Sequence, residues 1–178
     1  MESNTTQEKI EIFKEGEKIL LEKAQVVSNI SSPETQKIIS NLIMIMKQTG
    51  AMGFAAPQIG IPLRIFIFSS YPHVNHENAP NIEPTVVINP VIHSTSITEA
   101  TWEKCYSLTG KRGLIERYKE ITVAYNIQNG ERLENIELTG FPAQLFQHEF
   151  DHLEGILYTS RNPIETISDE EYKKRFKI

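Results

Sequence analysis

Residues 148–152 read His-Glu-Phe-Asp-His, with two histidines four positions apart and a glutamate beside the first. On a helix, residues separated by four positions lie on the same face. Two imidazoles placed in this way can bind one metal ion, and the carboxylate of Glu149 can reach a water molecule on that ion. The pattern therefore predicts a metal site together with a general base, a combination that is typical of hydrolases.

A third ligand is needed to complete such a site, and the residues leave two sources open. No histidine follows His152, so the downstream histidine of many zinc proteases is missing. Cys105, the single cysteine, could supply a thiolate, although a lone cysteine is more often a small core residue. Downstream carboxylates would instead give a small protease-like site, and the candidates are Glu165, Glu170 and Glu171.

The residues around the motif favour a buried site. Phe141 and Leu145 precede His148 and His152 at helical spacing, so the two histidines share an apolar face of the helix. Burying histidines and a carboxylate without partners would cost free energy, whereas a metal ion would satisfy them. These surroundings predict a metal centre rather than two ordinary surface histidines.

Length, charge and cysteine content narrow the class of protein. We expect a single domain over 1–178, because a chain of 178 residues is long enough to bury a proper core. The net charge of −5 argues against a direct nucleic-acid site and against binding to an acidic membrane. The sequence has no apolar stretch of membrane-spanning length and no secretory signal in its opening residues. Together with the single cysteine, these features predict a cytoplasmic protein.

Capping residues and helical periodicity predict three helices. Ser32 and Pro33 are typical of an N-cap followed by proline at the first helical position, and Gly50 is typical of the residue after a helix. We expect helices over 33–49, over 142–153 with the His-Glu-Phe-Asp-His motif, and over the charged last dozen residues from Ser168.

Apolar and alternating runs predict antiparallel strands between these helices. Asn129-Gly130 is a strong hairpin turn, and it lies within a hairpin expected over 119–137. The remaining predicted segments are strands at 63–68, 85–89 and 97–107, a surface loop over 69–84 and an N-terminal arm over 1–30. Strands grouped around a central metal-binding helix, without regular βαβ alternation, indicate an α+β fold.

Three blocks of the chain resemble peptide deformylases. Residues 53–60, G-F-A-A-P-Q-I-G, are similar to the family's G-L-A-A-P-Q-x-G block. Residues 103–107, E-K-C-Y-S, resemble its E-G-C-L-S block, and residues 147–155, Q-H-E-F-D-H-L-E-G, resemble its Q-H-E-x-D-H-L-x-G block. The blocks occur in the family's order, and looser matches between them extend the resemblance over nearly the whole chain.

The resemblance implies a ligand set and a reaction. Cys105, His148 and His152 would bind one divalent metal ion, Fe²⁺ in the cell, with Zn²⁺, Ni²⁺ or Co²⁺ able to take its place. A thiolate with two imidazoles suits iron or zinc and leaves a fourth position for water. The implied reaction removes the N-formyl group from the N-terminal formylmethionine of newly made polypeptides and releases formate. Glu149 would take up a proton and later deliver it to the leaving amine.

The resemblance also assigns residues that contact the substrate. The side-chain amide of Gln58 and the backbone N–H of Tyr106 would stabilise the developing oxyanion. The methionine side chain of the substrate needs an apolar pocket, for which Ile92 is one candidate. The other candidate substrate-binding residues are Gly53, Phe54, Lys104 and Leu145.

Three residues depart from the family's usual pattern. Lys104 replaces a glycine before Cys105, Tyr106 replaces a leucine after it, and Ala51 stands where a glycine often opens the first block. If this segment is a strand, alternation would turn the side chains of Lys104 and Tyr106 away from the cleft. The alternative is that Tyr106 narrows or re-lines the cleft and that Lys104 adds a cation beside it. The departures bear on substrate preference and rate more than on the metal site.

Two other functions stay compatible with the residues: a small metallopeptidase with a carboxylate as third ligand, and a non-catalytic deformylase-like protein that binds peptides. The resemblance implies two partners, N-formylmethionyl nascent peptides and the ribosome near its exit tunnel. We expect the enzyme to be a monomer. The acidic composition gives no support to a ribosome contact. In the loop over 69–84, His73 and His76 are candidates for a secondary metal site or for a border of the cleft.

Overall fold

The computed structural model describes residues 10–73 and 76–177. Three α-helices lie in this part of the chain: α1 Pro33–Thr49, α2 Phe141–Leu153 and α3 Asp169–Phe176. The strands of the same part are β1 Gly53–Ala55, β2 Ile65–Ser70, β3 Ile82–Thr95, β4 Thr98–Glu103, β5 Lys111–Tyr118, β6 Glu120–Asn126, β7 Arg132–Thr139 and β8 Glu165–Ser168. None of the described helices is long and apolar enough to cross a membrane.

The strands form two antiparallel sheets. The larger sheet has the order β1-β2-β3-β6-β7, and the smaller has the order β4-β5-β8. Every pairing between these strands is antiparallel. This mixture of helices and antiparallel sheets confirms the predicted α+β class, and the hairpin expected over 119–137 is the β6–β7 pair.

Helix α1 covers one face of the larger sheet. Ser32 caps it by accepting a hydrogen bond from the Thr35 N–H at 3.1 Å, and Gly50 ends it in the left-handed conformation with φ 68°. Its buried side chains pack in one cluster with Ile65 and Ile67 of β2. The helix predicted over 33–49 is thus confirmed, because its capping residues and apolar spacing agree with each other.

Helix α2 packs against the opposite face of the same sheet. Phe66 and Phe68, alternate residues of β2, face α2. The ring of Phe146 meets these two rings edge-on, with centroids 5.0 and 5.8 Å apart. Strand β2 is therefore buried on both faces. After α2 the chain turns at Gly155 with φ 70°, where an added Cβ would lie 2.7 Å from the backbone of Leu21. Only glycine fits that turn without displacing backbone.

Other segments differ from the sequence predictions. Strand β3 is longer than the 85–89 run, because it continues through a bulge near Asn89, whose φ is 50°. The strand expected over 97–107 ends at Glu103. Strand β5 was not predicted. The predicted 69–84 loop includes the ends of β2 and β3, and its residues 74–75 lie outside the described residues, as do residues 1–9 of the predicted arm.

Candidate metal centre

One group of side chains in the described part of the chain has the geometry of a metal site. Helix α2 presents His148 and His152, and the turn that follows β4 brings Cys105 to them. Their potential ligand atoms all lie within 4.8 Å of one another, and Cys105 Sγ is 3.3 Å from Nε2 of His152. Cys105 is the third member of this group, whereas two of the downstream carboxylates that compete for the role, Glu165 and Glu171, bind Arg175.

The chemistry of these side chains fits a metal ion. Ligands of one zinc or iron ion lie about 2.0–2.3 Å from it, so they approach one another as closely as these atoms do. Two buried polar atoms at the centre, Oε2 of Glu149 and Nδ1 of His152, have no hydrogen-bond partner among the described residues. Unpaired buried polar atoms are costly, and an ion with its water would give the Glu149 carboxylate a partner.

The thiol of Cys105 is set up to ionise. Burial raises its pKa, but the neighbouring imidazoles of His152 and His148 outweigh burial, and the pKa falls well below the ordinary value. Only the thiolate is a good metal ligand. The electrostatics of the centre therefore favour the form of Cys105 that metal binding requires.

Glu103 orients His148 from behind. Its Oε2 lies 2.7 Å from His148 Nδ1, and Arg117 grips the same carboxylate with Nε at 2.7 Å and Nη2 at 3.0 Å. Burial raises the pKa of Glu103, but His148 and Arg117 together lower it to about 2. Glu103 is therefore an anion and accepts a hydrogen bond from His148. His148 Nδ1 must then carry the proton, which leaves Nε2 as the atom free to bind a metal ion.

A chain of buried charges continues from Glu103 across the fold. Nη1 of Arg117 donates to Oδ2 of Asp151 at 2.6 Å, and Arg161 binds the same Asp151 from its half-exposed position. Asp151 lies on α2, one residue before His152. The network thus ties α2 to β4, β5 and the turn Tyr158–Arg161. Sequence reasoning gave these residues no role. The available signal was that Glu103 and Asp151 are charged residues inside two of the blocks that resemble the family, where burial would demand partners.

Glu149 lies at the bottom of the site next to Gly53. Burial raises the pKa of Glu149 to about 7, although His148 and His152 oppose that shift. A Cβ added at Gly53 would lie 2.3 Å from Oε1 of Glu149, so only glycine leaves room for the carboxylate. The carboxyl group is therefore poised to accept and release a proton near neutral pH.

Two donors lie beside Cys105. The backbone N–H of Ala55 donates to Oε1 of Gln58 at 2.9 Å, which turns the amide nitrogen toward Cys105 Sγ, 3.5 Å away, and Ser107 Oγ, 3.3 Å away. The backbone N–H of Tyr106 has no acceptor among the described residues. These are the two groups to which the family resemblance assigns oxyanion binding.

The centre opens into a cleft with a volume of about 600 Å³. Gly53 and Leu145 line it as predicted, and so do Lys104 and Tyr106. Lys104 and Tyr106 thus line the cleft and do not turn away from it, because β4 ends at Glu103 and strand alternation no longer applies beyond that residue.

The prediction of a substrate contact for Phe54 needs correction. Its side chain is fully buried in the cluster under α1, where its ring meets that of Tyr106 with centroids 5.4 Å apart. Ile92 is not among the residues that line the cleft either; it is partly buried and packs against the core cluster that contains Phe146. Alternation explains Phe54: its neighbours Gly53 and Ala55 face α2, so Phe54 faces α1.

Two further walls of the cleft are aromatic, and the sequence did not tie the first of them to the site. Trp102 packs edge-on against Tyr172 of α3, at 5.4 Å between centroids, and Phe176 extends this aromatic wall. On the other wall, His76 stacks on Phe141 at 4.3 Å. His73 and His76 therefore border the cleft, which was one of the two roles open for that loop.

The comparisons with known proteins agree on one family. The model of the family Polypeptide deformylase matches residues 9–168. Peptide deformylase 2 from Nostoc sp. is 41% identical over 171 residues, which cover 94% of this chain and 94% of that relative.

Solved structures agree with that match. The K2U-bound class I type b peptide deformylase from Acinetobacter baumannii has a TM-score of 0.82 at 35% identity, over 85% of this chain and 98% of that one. Its Met-Ala-Ser-bound form has a TM-score of 0.81 at 34% identity, over 85% and 97% of the two chains.

Proposed function

The chain belongs to the polypeptide deformylase family, a family of metal-dependent hydrolases, and within that function we propose the role of each residue at the centre. The protein removes the N-formyl group from nascent polypeptides. We assign the metal to Cys105, His148 and His152. One observation carries this assignment: their ligand atoms converge within 4.8 Å in a buried site that also contains a carboxylate and an amide donor.

The proposed metal in the cell is Fe²⁺, with Zn²⁺, Ni²⁺ or Co²⁺ as substitutes. One thiolate with two imidazoles is a donor set that these borderline metals share. Such an ion would polarise the formyl carbonyl and lower the pKa of a water molecule. The carboxylate of Glu103 would hold His148 in the tautomer that binds through Nε2, as buried carboxylates do at other metal-binding histidines.

Glu149 is the proposed proton carrier. Because burial raises its pKa to about 7, it can accept the proton of the attacking water and return it to the amine of the departing methionine. Its unpaired Oε2 is the atom available for that proton. Gly53 keeps the space next to the carboxylate open.

Gln58 and the backbone N–H of Tyr106 are the proposed oxyanion donors. The Ala55 N–H fixes the Gln58 side chain before substrate arrives, so little reorganisation is needed when negative charge develops. Removing one donor of this kind typically costs about 3 kcal/mol of transition-state stabilisation.

The substrate would lie along the cleft that starts at the metal centre. Gly53, Leu145 and Lys104 line this cleft and are the proposed contacts for the formylmethionyl end of the peptide. The Acinetobacter baumannii relative has been solved with Met-Ala-Ser bound, which supports a peptide as the occupant of the corresponding groove.

The test of the function is formate release from formyl-Met-Ala-Ser by anaerobically prepared, iron-loaded protein. We expect turnover by the wild type. A fully metal-loaded wild type that releases no formate would overturn the assignment and favour a peptide-binding protein without catalysis.

The ligand assignment has its own test. Cys105→Ala should lose the metal, which metal analysis after gel filtration measures. Retention of the metal by this variant would point to a carboxylate ligand and to the metallopeptidase alternative. Lys111→Gln is a suitable control, since Lys111 pairs with Glu15 at the surface and does not line the cleft.

The remaining assignments concern organisation and location. We propose that residues 1–178 form one catalytic domain built around the metal-binding helix α2, and that the protein is a monomer. A free thiol ligand suits the reducing cytoplasm. Since nascent chains are the substrate, we place its action at the ribosome near the exit tunnel; co-sedimentation with translating ribosomes, against gel filtration of the free protein, measures both points.

A further inference from the structure

Lys104 is a cation at the rim of the cleft that the fold neutralises only in part. Its Nζ lies 3.7 Å from Oδ2 of Asp169, and its side chain is 46% exposed. Asp169 is already engaged by Arg112, whose Nε donates to Oδ1 at 2.8 Å. Two cations share one carboxylate, so this wall of the cleft retains a positive charge.

Other acidic groups of the cleft do not cancel that charge. The two carboxylates among its lining residues are Glu103 and Glu149, which are 4% and 2% exposed. Glu103 is already paired with Arg117 and His148. The rim is therefore locally positive, although the whole chain carries a net charge of −5.

The position of Lys104 decides which part of a substrate meets this charge. Lys104 directly precedes Cys105, so their Cα atoms are about 3.8 Å apart. An extended peptide advances about 3.4 Å per residue. With a formyl group at the metal centre, the second and third residues of the peptide come within reach of a flexible four-carbon side chain that starts beside that centre.

The ammonium group of Lys104 is also free to move toward a ligand. Its contact with Asp169 exceeds hydrogen-bond distance, and the ring of Tyr106 is 5.9 Å from the same Nζ. Arg112, in contrast, is held by Asp169 and stacks on Tyr172 at 4.1 Å. Of the two cations at this wall, Lys104 is the one that can form a new ion pair.

We propose that Lys104 is a specificity-determining residue that favours substrates with an acidic side chain at the second or third position, next to the formylmethionine. The inference rests on the deformylase function and adds a substrate class to it. A partly exposed ion pair of this kind changes an affinity by about threefold to fivefold at low ionic strength. A basic side chain at the same position meets a like charge and is disfavoured.

The experiment compares matched peptide amides, in which the C-terminal carboxylate is removed. One pair is formyl-Met-Asp-Ser-amide and formyl-Met-Asn-Ser-amide; the other is formyl-Met-Ala-Asp-amide and formyl-Met-Ala-Asn-amide. In at least one pair we expect kcat/KM to be about threefold to fivefold higher for the aspartyl peptide, with the ratio falling toward one at high salt.

Variants assign the effect to its source. Lys104→Gln should bring the ratio to about one, and Lys104→Glu should invert it. Lys111→Gln removes one positive charge outside the cleft and should leave the ratio unchanged.

Trp102, the single tryptophan, lines the cleft, so its fluorescence gives a second readout: the affinity for the products Met-Asp-Ser-amide and Met-Asn-Ser-amide.

The outcomes separate this inference from the function on which it rests. A wild-type ratio near one in both pairs, or a preference that persists in Lys104→Gln, overturns the role of Lys104 while formyl-Met-Ala-Ser is still turned over. Absence of formate release from every peptide overturns the deformylase function instead. The fluorescence titration then still decides whether the rim prefers acidic peptides, because it needs no turnover.

Discussion

The metal centre and the rim of the cleft lie side by side but are held in different ways. At the centre, Glu103 is fixed by three charged contacts of 2.7–3.0 Å from Arg117 and His148, all of them buried. At the rim, Lys104 is 46% exposed and lies 3.7 Å from its nearest carboxylate. Removing one partner of a buried ion pair strongly destabilises the fold, whereas an exposed ion pair contributes little to stability. We therefore expect changes at the centre to abolish chemistry and changes at the rim to adjust it.

Glu149→Gln should have the largest effect. The amide keeps the size of the side chain but cannot accept the proton, so kcat/KM for formyl-Met-Ala-Ser should fall by about 10²–10⁴-fold. Metal analysis should show the same metal content as the wild type, since Glu149 is not one of the three proposed ligands. If the variant retains wild-type activity, another group carries the proton, and the expected difference between changes at the centre and changes at the rim is wrong.

Gly53→Ala tests the geometry of the same carboxylate. The added Cβ would approach Glu149 Oε1 to 2.3 Å, so the buried carboxylate must shift, and a displacement of about 1 Å can cost on the order of 10²-fold in rate. The loss should appear in kcat, with metal content unchanged. Gly130→Ala is the comparison variant for assay conditions: it lies in the β6–β7 turn, where nothing is within 4 Å of an added Cβ, and only its φ of 91° adds local strain. Equal activity in Gly53→Ala and the wild type would mean that Glu149 has another position available.

The same contrast separates what the sequence could predict from what it could not. His148 and His152 were predictable because helical spacing alone places them on one face, and Glu149 because it stands beside His148 in the motif. Cys105 was predictable only through the resemblance of the block around it. Helix α1 was predictable from its caps. The partners of Arg117 were not, since Glu103 and Asp151 come from separate elements and meet it only after the sheets form.

The rim was the least predictable part. The orientation of Lys104 and Tyr106 depends on where β4 ends, which strand alternation cannot give. The aromatic wall depends on α3 folding back to Trp102, a contact between residues 70 positions apart in the chain (102 and 172). Tertiary packing decides both features, and local patterns carry no signal for it.

Glu103→Gln measures how far the charged network supports the metal. Losing the negative charge weakens the orientation of His148, and metal affinity should fall by about 10–100-fold. Arg117 would keep Asp151 as one anionic partner but lose the other, and the metal-free protein should unfold with about 1–3 kcal/mol less stability in urea. Using metal-free protein keeps the loss of metal binding out of the measured stability.

Glu165→Gln is the matched control for that experiment. Glu165 also binds an arginine with two contacts, both 2.8 Å to Arg175, but the pair is exposed at the surface. Its replacement should change neither metal affinity nor the urea midpoint measurably. If both variants lose similar stability, burial is not what distinguishes the centre from the periphery.

Tyr106→Phe should have the smallest effect, because it alters the rim and leaves the proposed oxyanion donor in the backbone. The Tyr106 hydroxyl donates to the carbonyl of Thr49 at 2.7 Å and so ties the turn after β4 to the end of α1. Removing this partly buried bond should cost about 0.5–1.5 kcal/mol of unfolding free energy in urea. The Lys14 side chain still holds the carbonyl of residue 106 at 2.8 Å, so the turn keeps a second anchor and kcat/KM should change by no more than about threefold. A loss as large as that of Gly53→Ala would instead show that the hydroxyl positions the N–H of residue 106, and the boundary between centre and rim would then run beyond Tyr106.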